Sequence, residues 1–66
     1  MTVARITEIS SISASSFEDA IKQGVARANQ TLKNVKGAWV KDQEVTIDNG
    51  MVTGYKVILK VTFVLQ

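Results

Sequence analysis

The fifteen residues from Met51 to Leu65, MVTGYKVILKVTFVL, constrain the fold of this 66-residue chain more than any other stretch. A β-strand turns alternate side chains to opposite faces. Met51, Tyr55, Val57, Leu59, Val61, Phe63 and Leu65 share one face with Thr53 and form a nearly continuous apolar stripe. The other face carries Val52, Gly54, Lys56, Ile58, Lys60, Thr62 and Val64, a set too apolar for an ordinary solvated surface. At roughly 3.3 Å per residue the strand is about 50 Å long. A compact chain of this size has a radius of gyration of about 11 Å. The strand therefore bends hard, or another copy of the protein covers part of it. That mismatch marks the chain as a subunit rather than a self-sufficient monomer.

A chain of this length is expected to form a single domain over residues 1–66. It buries little more than about 60% of its unfolded surface. Small scaffolds are usually secured by disulfides, a metal or oligomerisation. The sequence has no cysteine and no histidine, so disulfides, thiolate sites and the commonest transition-metal ligand are excluded. Oligomerisation is the device that remains. Cysteine-free composition fits a reducing compartment, and a cytoplasmic location is expected. The net charge is +2, from eight scattered basic residues without a basic run. That pattern is solvated surface charge rather than a nucleic-acid footprint. Met1 to Ser10 lacks the apolar core of a signal peptide. No apolar run reaches the 18 or so residues that span a membrane as a helix.

Thr2 to Ser10 alternates loosely, with Val3, Ile6 and Ile9 apolar, and reads as a first strand. The serine-rich stretch that follows, Ser10 to Ser16, supplies hydroxyls for the free N–H groups of a helix start. Ser15 and Glu18 have capping-box spacing, and Ser13 is the alternative cap. None of these serines has the surroundings of a nucleophile, since histidine is absent and no G-x-S-x-G elbow occurs. Phe17, Ala20, Ile21, Gly24, Val25, Ala28 and Leu32 lie on one helical face and predict a helix over 17–32. Glu18 and Asp19 in its first turn and Lys33 near its end suit the helix dipole. Gly24, on the apolar face, lets the helix approach the sheet closely. Asn34 to Gly37 would end the helix, with Gly37 free to adopt an unusual backbone angle. Ala38 to Ile47 reads as a second strand, and Asp48-Asn49-Gly50 as a type I′ hairpin turn. The acidic residues nearby, Asp42, Glu44 and Asp48, lack EF-hand spacing.

The order is β-α-β-β, an α+β fold with a three-stranded, mainly antiparallel sheet packed on one helix. A right-handed crossover leaves the first two strands parallel with a gap between them, into which the hairpin returns the long strand. One helix covers about half of a 50 Å strand at 1.5 Å per residue. The rest needs a partner, and repeated subunits normally close by point symmetry.

The helix pattern A-I-x-x-x-V-x-R-A-x-x-T-L and the ending Y-x-V-x-L-x-V-x-F-x-L, together with SSISASS at the helix start, resemble the dodecins over nearly the whole chain, without gaps. Dodecins are small flavin-binding proteins with a β-α-β-β subunit that assemble into a hollow dodecamer. The resemblance implies a homododecamer with ligand sites inside the shell, at subunit interfaces. In flavin-binding members a tryptophan just after the helix, at the position of Gly37, stacks on the flavin ring. Two such residues from neighbouring subunits sandwich a pair of flavins. A glutamine at the position of Lys56 hydrogen-bonds the ring, and an acidic residue at the position of Asp42 lies near the site in some members.

This chain departs at two of these positions. Its one tryptophan is Trp39, displaced from residue 37 by about 6.6 Å along a regular strand but on the same face. Lys56 donates hydrogen bonds but accepts none, whereas an amide does both. Trp39 is open to two roles, ligand stacking from the shifted position or interface packing. Tyr55 belongs to the core stripe, and ion pairing between subunits is expected for Lys56 and Lys60. The expected ligand residues are thus Gly37, Trp39, Asp42 and Lys56, and the expected ligand is FMN or riboflavin, held without catalysis. The alternative is a dodecin-like shell without a flavin site, structural or binding a divalent ion such as Ca²⁺ through carboxylates gathered by symmetry. With no His, no Cys and no carboxylate pair at catalytic spacing, an enzyme is not expected.

Overall fold

The computed structural model describes residues 2–65; Met1 and Gln66, the ends of the expected 1–66 domain, lie outside the described residues. Four elements follow in order: β1 (Val3–Ser13), α1 (Phe17–Thr31), β2 (Val35–Asp48) and β3 (Met51–Leu65). The sheet order is β1-β3-β2, and both pairings are antiparallel. The long strand is central, as the β-α-β-β reading requires. It does not bend to become compact: the molecule extends 51 Å along its longest axis, with a radius of gyration of 13.5 Å.

The serine stretch divides its work between strand and cap. β1 continues to Ser13 rather than stopping at Ser10, because Ser11 and Ser13 pair with Val57 and Tyr55 of β3. Ser13 is only 4% exposed. Its hydroxyl donates to the Asp19 carboxylate and accepts from the Ser15 N–H at 2.9 Å. The helix cap is Ser16, not Ser15 or Ser13: its Oγ accepts from the Asp19 N–H at 3.0 Å. Asp19 is therefore the third helical residue, and the Ser15–Glu18 capping box does not form. Glu18 and Asp19 do occupy the first turn.

The helix ends at Thr31, with Leu32 extended and its N–H bonded to the Ala28 carbonyl at 2.9 Å. Lys33 thus lies past the cap, and the last turn holds no basic residue. The left-handed residue is Asn34 (φ 62°), not Gly37. β2 consequently begins three residues earlier than the expected Ala38. The hairpin turn is as read from the sequence, with Asn49 at φ 54° and Gly50 at φ 76°.

Val57, Leu59 and Val61 are fully buried and pack with Ala20 and Ala28 of the helix. Ile9, Phe17, Ile21, Val25, Leu32, Val35 and Val40 surround that centre. Phe17 meets Tyr55 edge-on at 5.2 Å between ring centroids, which places Tyr55 in the packed layer. A Cβ at Gly24 would lie 3.0 Å from Leu59 Cδ1 and 3.1 Å from Ser11 Cβ, so the close helix–sheet approach is real. The ends of the apolar stripe, Met51 and Leu65, are exposed. The helix shields the middle of β3 and leaves both ends, and the whole opposite face of the sheet, uncovered.

Candidate functional site

The uncovered sheet face can be read row by row from the strand register, because directly opposed residues share a face. Leu59 faces the helix, so its neighbours Ile58 and Lys60 face away. One row is Ile6, Thr62 and Gly37; the next is Glu8, Lys60 and Trp39. Then come Ser10, Ile58 and Asp42, and after them Ile12, Lys56 and Glu44. All four expected residues, Gly37, Trp39, Asp42 and Lys56, therefore lie on the helix-free face.

A β-bulge makes this possible. Trp39 and Asp42 are three apart, so in a regular strand they would point to opposite faces. The register shift between Val40 and Asp42 inserts Lys41 and brings both to one side. A second shift, between Val35 and Gly37, has the opposite effect: two apart, they would share a face in a regular strand, but Val35 turns to the helix and Gly37 does not.

The four are not brought together equally. Gly37, Trp39 and Asp42 follow one another along β2. Lys56 pairs with Glu44, four strand residues from the Lys60–Trp39 row, or about 13 Å along the strand. Its ammonium is 3.9 Å from the Glu44 carboxylate. The cation beside Trp39 is instead Lys60, with Nζ 5.5 Å from the ring centroid, within cation–π range. Sequence reading had placed Lys60 on this face but had not joined it to Trp39. The joining signal is the register, which a hairpin count from Asn49-Gly50 gives only if the bulges are known. Within the chain, Lys56 pairs with Glu44 and Lys60 rests over the Trp39 ring.

Trp39 is 65% exposed, a large aromatic surface left in solvent. A Cβ at Gly37 would touch nothing within 4 Å, so the sheet beside Trp39 is open ground. Lys41 crosses the central strand and pairs with Glu8 at 3.1 Å. Asp42 is exposed and makes no hydrogen bond or ion pair among the described residues. Among those residues, no group of three acidic, His or Cys side chains could hold a metal within one chain. The arrangement can offer a flat aromatic platform with an ammonium at its side. On the other side of the sheet, an open groove of about 470 Å³ runs between β1 and α1, past Ile9, Ser11, Gln23, Arg27 and Thr31. None of the four expected residues lines it.

A three-stranded antiparallel sheet with the long strand β3 inserted at its centre, one helix on one face and an exposed aromatic on the other, defines a class of small β-α-β-β protein. The family model described as Dodecin matches residues 3–66, and the chain belongs to the dodecin family. Dodecin from Streptomyces coelicolor superposes with a TM-score of 0.93 at 31% identity, covering 98% of this chain and 93% of that one. An arginine-to-alanine mutant of Thermus thermophilus dodecin gives 0.93 at 33% identity, covering 100% and 98%. Calcium dodecin from Mycobacterium tuberculosis, described as a calcium-chelating immunodominant antigen with a novel calcium-binding site, gives 0.84 at 28% identity, covering 97% and 91%. No curated protein sequence matches the chain significantly. Among the described residues no helix is long and apolar enough to cross a membrane.

Proposed function

We propose that this chain is a non-catalytic, cytoplasmic subunit of a homododecameric shell. In this reading it binds a planar aromatic ligand, FMN or riboflavin, on the helix-free sheet face. The observation that carries the reading is Trp39: a 65% exposed indole on the same face as the open ground at Gly37. An exposed aromatic of this size on an apolar-rich face marks a binding surface. The ring stacks on the ligand, from two residues beyond the family's usual stacking position, and Asp42 and Lys56 border the ligand from their places on the face. Stacking sequesters the flavin and quenches its excited state, and no chemical step is involved. The exposed Ile6, Ile12, Ile47, Met51 and Val52 supply apolar surface for neighbouring subunits.

The test is a titration of riboflavin and of FMN with protein, followed by flavin emission. Saturable quenching is expected, and Trp39→Ala should abolish most of it while leaving the fold intact. Absence of quenching at micromolar protein would remove the flavin reading. A calcium reading is supported by Asp42, which has no partner among the described residues, and by the resemblance to a calcium dodecin. A melting temperature unmoved by millimolar Ca²⁺ would count against it.

A further inference from the structure

Three lysines stand on the ligand face, and two of them are answered by carboxylates. Lys41 meets Glu8 at 3.1 Å, and Lys56 meets Glu44 at 3.9 Å. Lys60 has no carboxylate within 4 Å among the described residues. Its ammonium rests over the Trp39 ring at 5.5 Å, although Glu8 is its direct cross-strand neighbour. Glu8 is drawn away by Lys41, which the bulge at that residue sends across the sheet. The result is an ammonium with no carboxylate partner among the described residues, standing directly beside the proposed stacking platform. A cation–π contact at an exposed ring is weak, so the ammonium is free to leave for a better partner. Its four-carbon stem gives it reach.

Resting on the flavin reading above, we infer that Lys60 is the charge-selecting residue of the Trp39 site. It favours planar aromatic ligands that carry an anionic group, a phosphate above all, over neutral ones of the same ring. As the ring stacks on Trp39, the ammonium swings from the indole to the anion. Asp42, in the adjacent row and without a cationic partner among the described residues, repels an anion placed on its own side. The anionic group is thereby directed to the Lys60 side of Trp39. Lys56 contributes less, because Glu44 neutralises it and it stands about 13 Å away along the strand.

The experiment compares FMN with riboflavin, which share one ring and differ by the phosphate. Both are titrated against the wild type, Lys60→Met, Lys60→Gln and the control Lys22→Met on α1. Trp39 emission is read together with flavin emission, since Trp39 is the sole tryptophan. At low salt FMN is expected to bind about fivefold more tightly than riboflavin. The ratio should fall toward one at about 1 M salt, where screening is nearly complete at contact distances. Lys60→Met and Lys60→Gln should also bring it to one or below, since Asp42 then acts alone, without weakening riboflavin more than about twofold, and Lys22→Met should leave it unchanged. A preference for FMN that survives both Lys60 variants overturns the inference, as does equal binding of the two flavins by the wild type. Failure of both flavins to bind overturns the ligand reading as well. Riboflavin binding without FMN preference overturns the inference alone.

Discussion

Gly24→Ala places two known effects in opposition at one atom. Alanine is favoured over glycine in a helix interior by about 1 kcal/mol, through backbone entropy in the unfolded chain. Against that, the new methyl would stand 3.0 Å from Leu59 Cδ1 and 3.1 Å from Ser11 Cβ. Carbon atoms settle at about 3.5–4.0 Å, so each contact is short by roughly half an ångström or more. Neither neighbour can step aside. Ser11 Cβ is fixed by the β1 backbone, paired to Val57, and Leu59 is fully buried. Relief requires the helix to rise from the sheet and loosen Ala20 and Ala28. Overpacking of that kind costs about 1–3 kcal/mol. The balance is a loss of about 1 kcal/mol, a fall in Tm of about 4–8 °C for a domain of this size. Thermal unfolding by circular dichroism, at one fixed chain concentration because assembly contributes to stability, measures it. Gly37→Ala is the matched comparison: nothing lies within 4 Å of its Cβ, so Tm should hold or rise by a few degrees. A higher Tm for Gly24→Ala than for the wild type would show that the helix–sheet spacing is not set by Gly24.

Leu59→Ala, at the fully buried centre of β3, should cost about 2–5 kcal/mol and leave little folded protein, read by the same melts. Ser16→Ala should cost about 1 kcal/mol, whereas Ser15→Ala should be nearly silent, because Ser16 and not Ser15 caps the helix. Gly50→Val forces a β-branched residue to φ 76° and should lower stability by about 1–2 kcal/mol, visible as a shifted urea midpoint with an unchanged slope. Trp39→Ala should change stability by no more than about 0.5 kcal/mol while removing flavin quenching, since the ring is largely in solvent. Light scattering should give a mass near twelve times 7.2 kDa, about 86 kDa, and a stable 7.2 kDa monomer would refute the shell.

Period-two alternation from Met51 to Leu65 is strong enough to identify the long strand, and the strand's length foretells the 51 Å molecule. Asn49-Gly50 fixes the hairpin because few other residues accept two successive left-handed conformations. The errors fall where local chemistry had close competitors. Ser10 to Ser16 offers several equivalent hydroxyls, and which one caps the helix depends on how far β1 stays paired to β3. The start of β2 was misplaced because Asn34, rather than Gly37, takes the left-handed turn. At the candidate site, face assignments fail at bulges: Lys36 and Lys41 carry no residue-type signal for the extra position they occupy. Only the register shows that Asp42 shares a face with Trp39 and that Lys60, not Lys56, stands beside it.

The most direct measurement uses Trp39 as its own reporter. Because it is the sole tryptophan, its emission reads only the helix-free face. FMN added to the assembled protein should quench that emission saturably, in step with quenching of the flavin, and approach one flavin per chain. Flavin binding that leaves Trp39 emission untouched would contradict the account, because the ligand would then sit elsewhere on the molecule.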